Sequence, residues 1–139
     1  MFLNGVTDTK TLEDKGIYFW KGHTSREFLD SRGLYNLPEG SLGKSYSYQY
    51  RGIGEGSVDQ IKKVYGSLEG DPFSRRHCVD IWAPNDHGGM PLTPCWKSHQ
   101  FSVENTKIPT LHLTCEVRSS DALFGLVNNY QQFAFYLQA

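Results

Sequence analysis

Cys95 closes the stretch Met90-Pro-Leu-Thr-Pro-Cys95, with Gln100 five residues on and Arg76 of the triplet Ser74-Arg75-Arg76 nineteen residues before it. A second block, Arg118-Ser119-Ser120-Asp121 followed by Gly125 and Asn129, sets a cation, small polar donors and a side-chain amide within twelve residues. Guanidinium forks hold phosphate oxygens in a fixed geometry. A nearby cation favours the charged form of a thiol, and an amide can pair with the polar edge of a base. A cysteine taken alone is more often a small buried hydrophobe than a nucleophile, and adjacent arginines alone are more often a solvated surface. Together the two blocks could hold a phosphate, activate a thiol and read a base edge.

With both blocks in view the chain resembles thymidylate synthase and the related phage pyrimidine hydroxymethylases. The family pattern of Ser-Arg-Arg, Trp-x-Pro-x-Asp, Met-x-Leu-x-Pro-Cys, Gln-Phe-x-Val and Arg-Ser-x-Asp-x-x-x-Gly-x-x-x-Asn is met by Ser74–Arg76, Trp82–Asp86, Met90–Cys95, Gln100–Val103 and Arg118–Asn129. Phe2-Leu3, Gly5, Thr7, Leu12, Trp20, the segment from Ser25 to Ser31, Leu42-Gly43, Tyr46, Gln49 and Arg51 also fall where the family has like residues. The resemblance implies an α+β fold with a mixed, twisted sheet carrying helices, and a homodimer packed sheet against sheet. It implies transfer of a one-carbon unit from 5,10-methylenetetrahydrofolate to C5 of dUMP, with no metal. In that chemistry a thiolate adds to C6 and turns C5 into a carbon nucleophile, splitting one hard step into easier ones.

Carried over residue by residue, the resemblance makes Cys95 the nucleophile and sets Arg118 against the phosphate beside it. Arg75 and Arg76 would reach the phosphate of the partner subunit, and Ser119 would hold the phosphate as well. Gln100 would assist base binding, and Tyr46 would accompany loss of the C5 proton. Asp121 would meet both pyrimidine and folate, or serve as a helix N-cap, or do both. Trp20 and Leu92 would line the folate pocket, an indole offering a stacking face, and Gly125 would let the folate ring approach the backbone. Without the resemblance Trp20 and Leu92 read as core residues, and Tyr46 as an ordinary member of a set of eight tyrosines. Asn129 would favour dUMP over dCMP, since its amide can donate to O4 of uracil and accept from N3–H. Counting from Arg118 and Gly125 selects Asn129 over the adjacent Asn128. Three positions depart from most synthases: Trp96 stands in place of His, Val127 of Pro and Asn128 of Phe. The string from Phe124 to Tyr130 looks closer to the hydroxymethylases, which add water rather than a folate hydride at the last step.

Bulk properties agree with one domain. A chain of 139 residues can bury about 68% of its unfolded surface, and 38% hydrophobic with 21% charged residues marks a soluble globular composition. A net charge of −1 gives no basic surplus for a nucleic-acid partner. Three cysteines without repeated spacing favour reduced thiols in a cytoplasmic setting. No 18-residue apolar run indicates a membrane span.

These residues need elements to position them. The pattern predicts a helix from about Thr7 to Lys15 ended by Gly16, and a second opened by the capping box Thr24-x-x-Glu27 and followed by Gly33. Residues 34–57 read as loop with short extended pieces. Ser57-x-x-Gln60 opens a helix with Val58, Ile61, Val64, Tyr65 and Leu68 on its apolar face. Strands are expected over 76–82 and 99–104, with Cys78 and Cys115 as buried thiols inside strand patterns. Another is expected over 109–118, where Leu111, Leu113, Cys115 and Val117 share one face. The segment Phe133–Leu137 reads as a helix buried nearly all round. A family glutamate would lie just before Met1, and the sugar-binding His-x-Tyr and the closing tail beyond Ala139. The expectation is therefore a partial domain: a fragment, a piece of a split protein, or a non-catalytic remnant.

Overall fold

Alternation fixes the sheet. The computed structural model describes residues 2–139, and in it Thr110–Val117 forms strand β3, with every second residue turned toward the interior. It pairs antiparallel with β2 (Trp96–Glu104), which pairs antiparallel with the short β1 (Cys78–Asp80). The order is β1-β2-β3. The fold is α+β as expected, but among the described residues all strand pairing is antiparallel rather than mixed.

One irregularity in β2 bears on the site. His99, Phe101 and Val103 face inward by strict alternation, so Lys97 would be next. A register shift between Trp96 and Ser98 breaks the series and turns Trp96 into the core instead, at 4% exposure. An extra residue in one strand re-aims the side chains on either side of it. Lys97 is thereby freed to pair with Glu116 on the outer face.

The helices follow the pattern with shifted ends. The first shrinks to α1 (Lys10–Glu13), with Gly16 left-handed at φ +76°. The second, α2, runs Arg26–Ser31 and is capped by Ser25, whose hydroxyl accepts from the Phe28 amide at 3.3 Å, rather than by Thr24. Thr24 is otherwise engaged, with its hydroxyl on Thr9 and the Trp20 carbonyl, each at 3.1 Å. Likewise α4 (Gln60–Gly70) is capped by Asp59, which accepts from the Lys62 amide at 3.0 Å, and not by Ser57. On α4 Val64 is buried and Ile61 and Leu68 pack on the core, whereas Val58 and Tyr65 are exposed. Gln60 reaches across to β1, donating to the Asp80 carbonyl at 2.7 Å and accepting from its amide at 2.9 Å.

The segment 34–57 holds an element the pattern did not show, helix α3 (Tyr46–Arg51), with Tyr46, Ser47 and Tyr50 buried. It ends on Gly52 at φ +57°, where a Cβ would stand 2.3 Å from the Val58 carbonyl oxygen. Only glycine fits both the sign of φ and the gap.

The core gathers Tyr46, Tyr50, Val64, Val79, Ile81, Trp96 and Phe101. Helix α5 (Gly125–Gln138) closes it with Phe133 and Tyr136. Burial on all sides is not observed: no residue of α5 is fully buried, and Phe135 is 72% exposed. Val127, Tyr130 and Leu137 also face outward. Cys78 is exposed, not buried, because β1 turns only Val79 inward. Cys115 is half-buried, and burial pushes its thiol up to about 11. Among the described residues no helix is long and apolar enough to cross a membrane.

Candidate functional site

The loop that ends at Cys95 is anchored before it reaches the thiol. Met90, Pro91 and Pro94 are buried, and the preceding turn Pro84–Gly89 is tied to the start of α3. Asp86 accepts from Lys44 at 2.7 Å and from Gln49 at 3.0 Å, and these two donors hold its carboxyl below the usual range. The Lys44 amide donates to the Gly89 carbonyl at 3.1 Å. Gly43 permits this approach, since a Cβ there would come within 2.1 Å of the Gly89 oxygen. The aspartate of the Trp-x-Pro-x-Asp pattern thus fastens the Cys95 loop to the helix that carries Tyr46.

Arg118 grips the same loop from the end of β3. Its amide donates to the Cys95 carbonyl at 2.9 Å. Its Nε donates to the Pro94 carbonyl at 2.8 Å, and Nη2 to the Thr93 carbonyl and hydroxyl at 3.2 and 3.3 Å. The guanidinium also lies over the Trp82 ring, 5.2 Å from its centroid. These contacts use Nε and Nη2 and leave the Nη1 hydrogens for an anion.

Tyr46 meets Cys95 from the other side, its hydroxyl accepting from the Cys95 amide at 2.7 Å. Burial first, and then the neighbouring Cys95 side chain, push the phenol well above its ordinary value. Tyr46 therefore stays protonated at neutral pH. Trp20, Tyr46, Leu92, Cys95 and Arg118 together line one cleft of about 160 Å³, to which Ser45 and His23 also contribute. Five of the residues singled out in the sequence converge here.

The others lie elsewhere. Ser119 and Asp121 occupy the turn from Arg118 into α5, and Gly125 is the first residue of that helix. Asp121 accepts from the Leu123 and Phe124 amides at 2.9 and 2.7 Å, which lowers its carboxyl and makes it the cap of that turn. Asn129 donates to the Ser120 hydroxyl at 3.0 Å. Gln100 points to the outer face of β2, its amide donating to the Arg75 carbonyl at 3.4 Å, and Arg75 and Arg76 are exposed. None of these seven lines the cleft.

Sequence reasoning did not single out the roles of Trp82 beneath Arg118, of Thr93 and Pro94 as its acceptors, or of the buried Tyr50–His99 contact at 2.5 Å. Trp82 belongs to a quoted motif, so a signal existed. The carbonyl acceptors leave none.

The family model described as thymidylate synthase matches residues 1–139. The chain belongs to the thymidylate synthase family. It is 35% identical to a thymidylate synthase of Agaricus bisporus, over 96% of this chain and 50% of that protein. Identity to the thymidylate synthase of Ascaris suum is also 35%, over 95% of this chain and 48% of the other. A bifunctional dihydrofolate reductase-thymidylate synthase of Zea mays is 35% identical over 96% of this chain and 27% of that protein. The chain spans about half the length of the single-function relatives it matches.

Proposed function

We propose that this chain carries the thiol and part of the substrate surface for transfer of a one-carbon unit from 5,10-methylenetetrahydrofolate to C5 of dUMP, yielding dTMP. The observation that carries this reading is the convergence of Cys95, Tyr46, Arg118, Trp20 and Leu92 on one cleft. Cys95 adds as thiolate to C6, and the electron pair moves to C5, which attacks the one-carbon unit. The C5 proton then passes to water beside the neutral Tyr46 phenol, and the folate nitrogen leaves with its bonding pair as the exocyclic methylene forms, the sulfur still on C6. A hydride from the released folate adds to that methylene, and the electron pair returned to C5 expels the Cys95 thiolate and completes the methyl group. Arg118 offers its Nη1 donors to the phosphate, and Trp20 and Leu92 offer an apolar wall to the folate. Asn129 selects uracil, while Gln100, Ser119, Asp121 and Gly125 complete the base, phosphate and folate contacts. Arg75 and Arg76, exposed here, extend to the second subunit of a homodimer. The three free thiols suit a reducing compartment such as the cytoplasm.

The cleft holds about 160 Å³, less than the roughly 300 Å³ at which ligand sites begin. Two substrates thus need surface beyond these residues, which fits a chain covering half of its relatives. Action together with another polypeptide is a second reading, favoured by the outward Val127, Tyr130, Phe135 and Leu137 of α5. A hydroxymethylase ending, in which water meets the exocyclic methylene, is favoured by Val127 and Asn128, both exposed at the start of α5. The test is protection: dUMP should slow alkylation of Cys95 but not of the exposed Cys78, and dCMP should protect less. Equal alkylation of Cys95 with and without dUMP would overturn the assignment.

A further inference from the structure

We propose that Trp82 is a positioning residue for Arg118: its ring fixes the tilt of the guanidinium, so that the free Nη1 donors are already ordered when a phosphate arrives. The proposal rests on the reading of Arg118 as the phosphate ligand, and it gives the tryptophan of the Trp-x-Pro-x-Asp pattern a part in substrate binding.

Three hydrogen bonds hold the guanidinium by its edge. Nε donates to the Pro94 carbonyl at 2.8 Å, and Nη2 to the Thr93 carbonyl and hydroxyl at 3.2 and 3.3 Å. The N–H donors of a guanidinium lie in its plane. These contacts therefore restrain the group edgewise and leave its tilt to whatever covers a face. Trp82 supplies that cover, with Cζ of Arg118 at 5.2 Å from the ring centroid. Of the aromatic side chains, an indole attracts a cation over its face most strongly. Arg118 is otherwise exposed, and without the ring water would compete for that face.

Trp82 is itself fixed. The Ile81 and Trp82 amides both donate to the Lys97 carbonyl, at 2.8 and 3.0 Å, and Lys97 is the residue at the register shift of β2. Ile81 beside it is fully buried. The His87 ring meets the indole edge-on, with centroids 4.3 Å apart and planes at 74°. His87 lies in the turn that Asp86 ties to Lys44 and Gln49. Its Nε2 is buried without a hydrogen-bond partner among the described residues, so what it supplies here is the ring contact. Ordering a long side chain on binding costs free energy. A guanidinium already held at one edge and one face avoids much of that cost, and only a ligand that carries the anion benefits.

The experiment compares the unmodified protein with Trp82→Leu and Trp82→Phe in two readouts. Without nucleotide, NMR follows exchange of the Arg118 Nε proton with water. Trp82→Leu should speed that exchange several-fold, and Trp82→Phe, which keeps a ring, should restore most of the protection. In the second readout, protection of Cys95 from iodoacetamide is titrated with dUMP and with deoxyuridine, which lacks the phosphate. Trp82→Leu should raise the dUMP concentration for half-protection about fivefold, the scale of ordering one long side chain, and leave that of deoxyuridine unchanged. An unaltered exchange rate in Trp82→Leu, or equal losses for the two ligands, would overturn the proposal, since damage to the fold acts on both ligands alike. Should Trp82→Leu fail to fold, successively fluorinated tryptophans at position 82 keep the shape and weaken the ring face. The dUMP concentration should then climb with each fluorine, and a flat series refutes the role. If dUMP fails to protect the unmodified protein while the exchange rates separate as expected, the proposed function falls and the hold of Trp82 on Arg118 stands.

Discussion

His99 makes the stability of this fold sensitive to mild acid. It is 1% exposed on the inner face of β2. Around it stand the rings of Tyr50, Trp96, Phe133 and Tyr136, with centroids 5.5 to 5.8 Å away. Nε2 meets the Tyr50 hydroxyl at 2.5 Å, and Nδ1 finds no partner among the described residues. Burial therefore pushes the imidazole down to about 4 from its ordinary 6.5. Between those values the unfolded chain binds a proton that the folded one refuses, so stability rises with pH across the window and is lost on descending it. The full descent costs about 3 kcal/mol at 1.36 kcal/mol per unit. Urea unfolding followed by tryptophan fluorescence between pH 7 and pH 4 reads this directly. Asp86, Asp121 and Glu116, held below the usual carboxylate range, add a loss of the same sign toward the acid end of the window, which comparison with a variant at position 99 subtracts. His99→Phe keeps an aromatic ring, lacks the proton site and should flatten the slope. Its absolute stability will carry the cost of an unpaired Tyr50 hydroxyl, so the slope is the quantity to compare. An unmodified protein equally stable at pH 6.5 and pH 4.5, or a variant with the same acid slope, would refute the reasoning.

Replacing Asn129 by Asp should shift binding from dUMP toward dCMP by ~1–3 kcal/mol, the scale of an unpaired buried group. Calorimetry on a longer protein containing these residues measures it, and equal affinities would remove Asn129 from base selection. Residues 1–139 alone should form no dTMP from dUMP and methylenetetrahydrofolate, because catalysis needs groups held to a fraction of an ångström and a site closed to water. Appreciable dihydrofolate in that assay would show the chain sufficient. Gly52→Ala should destabilise by about 2 kcal/mol or more, given a left-handed φ and a carbonyl in the way of the new methyl. A melting temperature within 2 °C of the unmodified protein's would contradict that estimate, roughly 3 °C per kcal/mol being usual at this size.

Strand β3 was legible because an alternating surface leaves its period in the residues that make it. Helix α3 was not, because Tyr46, Tyr48 and Tyr50 recur at the period of a strand. In the fold Tyr46 and Tyr50 share a helical face in the core, while the Tyr48 ring faces the Lys44 ammonium at 5.6 Å. Thr24 and Ser57 head plausible capping boxes, yet Ser25 and Asp59 cap, since tertiary bonds claim Thr24 and a local turn to Gly54 claims Ser57. Alternation around Cys78 separates two faces without saying which is covered, and the thiol fell on the open one. The five cleft residues were found through motif resemblance. The bulge that swings Trp96 inward and the carbonyls that hold Arg118 follow from backbone geometry, which carries no residue signature.

The aromatic cluster has a kinetic consequence. Phe2, Trp20, Tyr46, Trp96 and Phe133 are joined by ring contacts of 4.8 to 5.8 Å, although they come from five well-separated stretches of the chain. Closing such loops costs entropy before any contact rewards it, so a nucleus built on these rings forms slowly compared with one made of neighbouring turns. During synthesis the cluster waits for β2 to bring Trp96, and its Phe133 wall waits for α5. Until then four large rings are exposed, and the nascent chain is most prone to sticking in that interval.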